Sequence, residues 1–365
     1  MASTHDPWNG AAPTGRPLAS TTRSICADRH TGGHLMTGTN RSPLWLTALA
    51  VLAVAPALVP GAATAQTYPT RPVSLIVPAP PGGGTDIFAR QLAELVSTAV
   101  GQRFVVENRG GAGGTLGTTQ VVAAQPDGYT LGFIWNSPLT TSPHSLTLAY
   151  TPDSYRAVMS IGFSSYVLCA RADFPAATGA ELVAHLKANP SRYTYGNDGV
   201  GGTMRLAAER IFRRIDTRVR SVPFAGAGET ARAFLGGHID FYGGSLPPIL
   251  PHVQAGTAKC LMLTSADANP ALPQAAGLQS LGLGEEETVL WWGLIAPART
   301  NPQILSRLEA VFTEAARSDA FRQIMERQGA TPRVLGAEAT QRLIRSELAA
   351  LGTVAQAIGL QRQAQ

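Results

Sequence analysis

Strand-like and helix-like stretches take turns along nearly the whole chain after residue 66, and this alternation narrows the available folds more than any other feature. "VSLIVPA" is a β-rich run, and "TDIFARQLAELVSTAVG" sets Ile87, Leu92, Leu95, Val96 and Ala99 near helical spacing before Gly101 stops it. "FVVEN" and "TLGFIWN" read as further strands, separated by a short helix in "GGTLGTTQVVAAQPDG". After a loop-rich middle the pattern resumes with the strand "YVLCARA" and the helix "TGAELVAHLKANP". Then come "RYTYGND", "GTMRLAAERIFRRI", "VRSVPF", "GETARAFLGG" and "IDFYGG". Helices between strands imply crossovers onto parallel sheets covered on both faces, an α/β architecture. Two such blocks, roughly Gln66 to Cys169 and Ala172 to Gly256, predict two sheets, with "AKCLMLTSA" carrying the chain back to the first. Core spacing in "NPQILSRLEAVFTEAARSDAFRQIMERQG", and a further helix in "AEATQRLIRSELAALGTVAQAIG", complete the first lobe. The expected division is 66–170 plus 265–365 for lobe 1 and 171–264 for lobe 2.

The segment ahead of this body reads as a targeting sequence. Arg41 precedes an apolar run from Leu44 to Leu58, and Ala63-Thr64-Ala65 follows. That order is read by a secretory signal peptidase, and the run is too short and too interrupted by Pro56, Pro60 and Gly61 for a membrane anchor. Cleavage is expected before Gln66 and initiation at Met36, making residues 1–65 an N-terminal extension and signal peptide. From Gln66 onward 25 basic and 22 acidic residues remain, a charge of +3 that gives no prior for nucleic acid and mildly suits small anions. Cys169 and Cys260 each sit in an apolar strand-like run, where a buried free thiol is the commoner outcome and a disulfide the alternative in an oxidising compartment.

The chemistry-bearing stretches lie at strand-to-helix turns. Gly82, Gly83, Gly84, Thr85 and Asp86 join a predicted strand to a helix start, where backbone N–H groups lack helical partners and the macrodipole is positive. Glycines let an anion approach the main chain, and Asp86 reads as an early-turn acid or cap; a tight turn without any ligand has the same composition. "YGNDGVGGTMRLAAE" repeats the arrangement in the second block, with Asn197, Gly201, Gly202 and Thr203 at the turn. Asn136 and Ser137 after one strand, and Gly244 and Ser245 after another, add polar groups at equivalent strand ends. In open α/β sheets ligands gather beyond the carboxyl ends of the strands, so these turns together predict a cleft.

Catalytic alternatives find less support. Gly111, Gly113 and Gly117 give a spacing unlike the dinucleotide fingerprint, with no acid about 20 residues on to hold a ribose. The only lysines, Lys187 and Lys259, stand outside any Walker-type loop, and no G-x-S-x-G elbow occurs. His144, His185, His238 and His252 show no zinc spacing. The arginines Arg205, Arg210, Arg213, Arg214, Arg218 and Arg220 surround an apolar stripe and read as a solvated face, with docking to an acidic partner or lipid headgroups as the sharper alternative. Trp291 and Trp292 in "LWWGLIAPA" suit either ligand stacking or core packing.

"YPTRPVSLIVPAPPGGGTDIFARQLAELV", "VVENRGGAGGTLGTTQVVAAQPDGYTL", "SVPFAGAGETARAFLGGHIDF" and "WWGLIAP" resemble, in order and spacing, the Bug family, the TctC-like solute-binding components of tripartite tricarboxylate transporters. The resemblance covers Tyr68 to Gly359. It implies a two-lobe periplasmic-binding-protein fold of type 2, the Venus flytrap, with a mostly parallel sheet in each lobe. It implies a periplasmic monomer without catalysis, cofactor or metal, closing on a small carboxylate and delivering it to membrane permease subunits. A sensor feeding a membrane signalling partner and an exported enzyme or NAD(P)-type oxidoreductase are the alternatives. By the resemblance, Gly82 to Asp86 face Asn197, Gly201, Gly202 and Thr203 across the ligand carboxylate, with Asn136, Ser137, Gly244 and Ser245 near its distal end. Two departures stand out: Ala79 replaces a common aromatic, which predicts a roomier floor, and Gly244 replaces a common acid, which argues for a plain organic acid over an amino acid.

Overall fold

A computed structural model describes residues 68–357. The expected start at Met36 and cleavage before Gln66 lie outside the described residues. The first sheet begins with β1 (Val73–Val77) between parallel β2 (Phe104–Asn108) and β3 (Thr130–Trp135), crossed over by α1 (Gly84–Val100) and α2 (Thr115–Val122). Two single turns, α3 (Ser137–Thr140) and α4 (Ser142–Ser145), then lead to a long strand, β4 (Tyr155–Arg171). The second group comprises α5 (Gly179–Ala188), β5 (Thr194–Asn197), α6 (Thr203–Arg214), β6 (Arg220–Pro223), α7 (Ala227–Leu235), β7 (Phe241–Ser245), α8 (Leu250–Gln254) and β8 (Ala258–Leu263). The chain closes with β9 (Val289–Pro297), α9 (Pro302–Arg317), α10 (Asp319–Arg327), β10 (Thr331–Gly336) and α11 (Ala337–Ala357).

Strand order is β2-β1-β3-β9-β4-β7-β5-β6, with β8 and β10 also on β4. The sheet is mixed, whereas mostly parallel sheets were expected: four of the nine strand pairings among the described residues are parallel and five antiparallel. The cause is β4 and β9, which run between the two groups and so oppose the strands they join. The first part of β4 falls in what sequence reading took for a loop-rich middle, because Ser160, Gly162, Ser164 and Ser165 dilute its apolar pattern. Up to Ser165 it pairs with β9, and from Tyr166 it pairs with β7 and β8. Thr264 ties the junction together: its N–H donates to Tyr166 O at 2.9 Å, and its hydroxyl donates to Thr288 O at 2.6 Å. Segment 265–288 stays with the second group, through a bridge from Met262 to Ala276 and an ion pair from Arg210 to Glu286 at 2.9 Å. The exchange of strand partners along β4 thus falls at Ser165–Tyr166, and β8 pairs with the second part of β4. A continuous strand without Gly-Pro punctuation hides such a switch from sequence.

Local rules account for the helix limits. Gly101 ends α1 in the left-handed region at φ 71°, and Thr178 caps α5 by accepting from Glu181 N. The long tail pattern is two helices, because Ser318 accepts from Phe321 N and restarts the chain as α10. Between β1, β3 and the helices α1 and α9, a core of Val73, Leu75, Phe88, Leu92, Phe133 and Phe312 is fully buried. Each such side chain contributes roughly 1.5–3 kcal/mol. Trp291 and Trp292 are equally buried and belong to the packing.

Cys169 and Cys260 stand directly opposite on β4 and β8 and form a disulfide, against the free thiols expected. Their runs were read correctly as apolar strands; their register was beyond sequence reading. The bond closes a loop between residues 91 apart in sequence, so reduction, or the Cys169→Ala/Cys260→Ala variant, is expected to lower unfolding free energy by about 2–4 kcal/mol. Denaturant melts of oxidised and reduced protein, with mass spectrometry of the linked peptides, check this; two free thiols in the oxidised protein would refute it.

Candidate functional site

The start of α1 is prepared by one carboxylate. Asp86 accepts from the Gly82 N–H at 2.9 Å and from Asn108 Nδ2 at 2.9 Å, and pairs with Arg90 at 2.9 Å. Burial by itself raises this carboxyl, but the bonds from Arg90, the Gly82 amide and Asn108 outweigh it and hold its pKa below the ordinary value. Asp86 therefore faces into its own loop. It fixes the turn without standing over the amides of Gly84 and Thr85, which have no helical partners. Asn108 also donates to Ala79 O at 3.0 Å, and Trp292 Nε1 donates to Thr85 Oγ1 at 3.2 Å, so the loop is held from β2 and from β9. Gly83, the N-cap, has no side-chain cap.

A second helix start, that of α7, comes up against this one. A Cβ placed on Gly228 would lie 2.9 Å from Pro81 O and 3.0 Å from Gly83 N, and one on Gly84 would lie 3.1 Å from Ser245 Oγ. The cleft between them is lined by Ala79, Pro80, Gly83, Gly84, Thr85, Trp135 and Leu290 on one side. Asp198, Gly226, Ala227, Gly244 and Ser245 line the other, with Tyr166 at the junction. Its volume is about 390 Å³, including the part open to solvent. The roomier floor expected above Ala79 is taken up from across the cleft, since a Cβ on Gly226 would stand 3.7 Å from Ala79 Cβ. Gly244 has no space for the acid it replaces: a Cβ there would lie 2.5 Å from the Tyr242 hydroxyl.

Of the expected site residues, the cleft brings together Gly83, Gly84, Thr85, Gly244 and Ser245, and Gly82 stands exposed beside it with its amide on Asp86. Asp86 supports them from behind. Gly201, Thr203 and Ser137 meet in a hydrogen-bonded seam, while Gly202 abuts Asp198. Ser137 Oγ accepts from Thr203 N at 2.9 Å and donates to Gly201 O at 3.3 Å, Ser142 Oγ donates to Gly201 O at 3.1 Å, and the hydroxyls of Thr141 and Thr203 are 2.6 Å apart. Asn197 Nδ2 donates to Ser221 Oγ at 2.8 Å. Asn136 is buried beside α11, donating to Val289 O and to Glu347 at 2.6 Å. Glu347 also accepts from Thr140 and from the Trp291 indole, and burial raises its pKa.

The start of α6 is not open to an anion, because the chain supplies one. Asp198 accepts from Met204 N at 3.1 Å and Arg205 N at 3.4 Å, and a Cβ on Gly202 would fall 2.0 Å from its Oδ1. Asp198 and Tyr166, which sequence reading passed over, join Thr85 and Ser245 as buried polar side chains of the cleft. Gly226 and Ala227 were quoted within a family motif but given no role, although a glycine before a helix after a strand was the signal that had singled out Gly83. Arg213, Arg214, Arg218 and Arg220 stand exposed around and beside an open groove, while Arg210 is paired with Glu286.

Known proteins resemble this chain over most of its length. Residues 88–360 match the tripartite tricarboxylate transporter family receptor. Protein BugT of Bordetella pertussis is 31% identical over 292 residues, 78% of this chain and 88% of that protein. The solved periplasmic binding protein BugD superposes with a TM-score of 0.77 at 28% identity, covering 81% of this chain and all of the other. R. palustris Rpa4515, solved with adipate, gives 0.77 at 27% identity over 81% of this chain and all of that one.

Asp198 carries a pH signature. Burial, against the bonds from Met204 and Arg205, pushes its pKa from 3.8 to about 6. The folded state therefore binds this proton more tightly than the unfolded chain does, and its contribution to stability is full below about pH 4 and lost as pH rises to about 6. Glu347, also raised, adds to the same fall. Asp198→Asn is expected to melt with a shallower loss between pH 4 and 7 than the parent protein; identical slopes in scanning calorimetry would refute the assignment.

Proposed function

Since the chain belongs to the tripartite tricarboxylate transporter receptor family, we propose that it captures a small organic carboxylate in the cleft between its lobes and delivers it to the membrane subunits of such a transporter. The observation that carries this is the start of α1, where the amides of Gly83, Gly84 and Thr85 border the cleft with no basic side chain among its lining residues. A ligand carboxylate there completes helical amides left without partners and meets about half a positive charge from the α1 dipole. The adipate seen in Rpa4515 supports a carboxylate of this size class. The lobes we propose meet at two crossings, Ser165–Tyr166 of β4 and Thr264 with Thr288, and bending there opens and closes the cleft. We further propose that the protein reaches the periplasm through a signal peptide, so that N-terminal sequencing of the exported chain begins at Gln66; an intact N-terminus would refute cleavage there. No helix among the described residues is long and apolar enough to cross a membrane.

A thermal-shift screen of mono-, di-, tri- and aromatic carboxylates tests the capture. A ligand at a hundredfold excess over its Kd stabilises by about 2.7 kcal/mol, and chromatography of the same mixture shows no product. Conversion of the ligand would instead favour an exported enzyme. Gly83→Val adds a side chain toward the Gly228 amide, 3.4 Å from its Cβ, and is expected to abolish the ligand shift while the ligand-free melting temperature stays within about 2 °C, since Gly83 has the extended backbone valine prefers. Gly202→Val, by contrast, collides with buried Asp198 and is expected to lose fold and binding together.

A further inference from the structure

The seam between the two groups of strands rests on the least self-sufficient elements of the chain. α3 and α4 are single turns of four residues each, and a helix that short does not persist without packing from outside. They nevertheless carry Ser137, Thr141 and Ser142, whose hydroxyls meet Gly201 and Thr203 across the boundary. On their other side both turns are held by α11.

Glu347 of α11 reaches three donors. Asn136 Nδ2 and Thr140 Oγ1 donate to its Oε1 at 2.6 and 3.0 Å, and the Trp291 indole donates to its Oε2. Asn136, Thr140 and Trp291 are all buried, so removing this acceptor leaves polar groups that water does not reach. Next to Glu347 the helix makes room for the second turn. His144 Nε2 donates to Leu348 O at 2.8 Å, and a Cβ on Gly352 would lie 2.9 Å from His144 Cε1. A glycine inside a helix is unfavourable for the helix itself. Here it is the opening through which the imidazole reaches the carbonyl.

Resting on the two-lobed receptor proposed above, we infer that Glu347 is a positioning residue for capture: it anchors α3 and α4 on α11, with Leu348 and Gly352 seating His144, and so fixes the alignment at which Ser137, Thr141 and Ser142 meet the start of α6. Glu347 is not among the residues lining the cleft, so it acts through the seam. Lobes already held in one alignment lose less freedom on closing, which leaves more of the contact energy as affinity.

Pulsed electron paramagnetic resonance on the chain from Gln66 tests this without any ligand. Nitroxides at Glu94→Cys on α1 and Lys187→Cys on α5, both exposed, read the distances between the lobes, while Cys169 and Cys260 are joined and take no label. The otherwise unsubstituted protein is expected to give one narrow distribution. Glu347→Gln, whose amide N–H groups must face at least one of the donors, should widen it about twofold, as should Ser137→Ala/Thr141→Ala/Ser142→Ala, and combining the two should add nothing. Gly352→Ala favours α11 by itself but displaces His144, so it should widen the distribution too. Leu308→Ala truncates the buried core beneath α9 and should lower the melting temperature without widening. An unwidened Glu347→Gln, widening that adds to that of the seam variant, or equal widening in Leu308→Ala overturns the inference. If Glu347→Gln does not fold, an unwidened Gly352→Ala overturns it instead. Because no acid is added, this outcome is separate from that of the thermal-shift screen, which tests the receptor function.

Discussion

One strand holds this architecture together. β4 runs 17 residues without a break and takes β9 and β10 as neighbours in its first part and β7 and β8 in its second. Every backbone donor and acceptor along it needs a partner, so wherever it passes from one group of strands to the other, the two groups are pinned at that point. Tyr166 sits at this crossing and lines the cleft at the same time. The geometry of the pocket is therefore set by the strand that joins the lobes.

Two aspartates at two helix starts divide the labour of charge. Asp86 turns its carboxylate sideways, onto Gly82, Asn108 and Arg90, and leaves the following amides bordering the cleft. Asp198 does the opposite. It reaches under the start of α6, accepts from Met204 and Arg205, and cancels there the field that an outside anion would seek. From composition both loops are Gly-rich turns with an acid and a threonine at the helix start. Position within the turn decides the outcome, since Asp86 is inside the first helical turn whereas Asp198 is the first residue after the preceding strand and folds back.

This difference explains what was legible in the sequence. Periodicity located β1, α1, β2, β3, α5, α6 and α7 to within a residue or two, because each buries one face and ends at Gly, Pro or a capping hydroxyl. It failed on the first part of β4, whose serines and Gly162 are tolerated by antiparallel pairing on both sides. It also failed on β8, a good strand whose partner no local signal names. The turn from β1 into α1 was legible because an unsupported helix start is a local feature. The facing partner was misplaced, since which second-lobe turn lies opposite is a matter of strand order: β7 sits next to β4 and brings Gly244 and Ser245 inward, and α7 leads into it. The disulfide belongs to the same class, apolar strands being readable and register not.

The polar contacts between the lobes are unevenly spread, and this bears on how a ligand works. Along the seam of Ser137, Thr141 and Ser142 with Gly201 and Thr203, side-chain hydroxyls already satisfy the backbone groups across the boundary. At the other edge, where residues 80–85 approach 226–228 and Ser245, no hydrogen bond crosses among the described residues, although the backbones come within about van der Waals contact. Glycines permit the approach but give nothing to hold it. Two positive helix ends facing one another repel slightly, so that closure there gains its favourable term only when an anion lies between them. The cleft edge is thus the part of the boundary whose energy a carboxylate can change, and the seam is the part that keeps the lobes aligned while it does so.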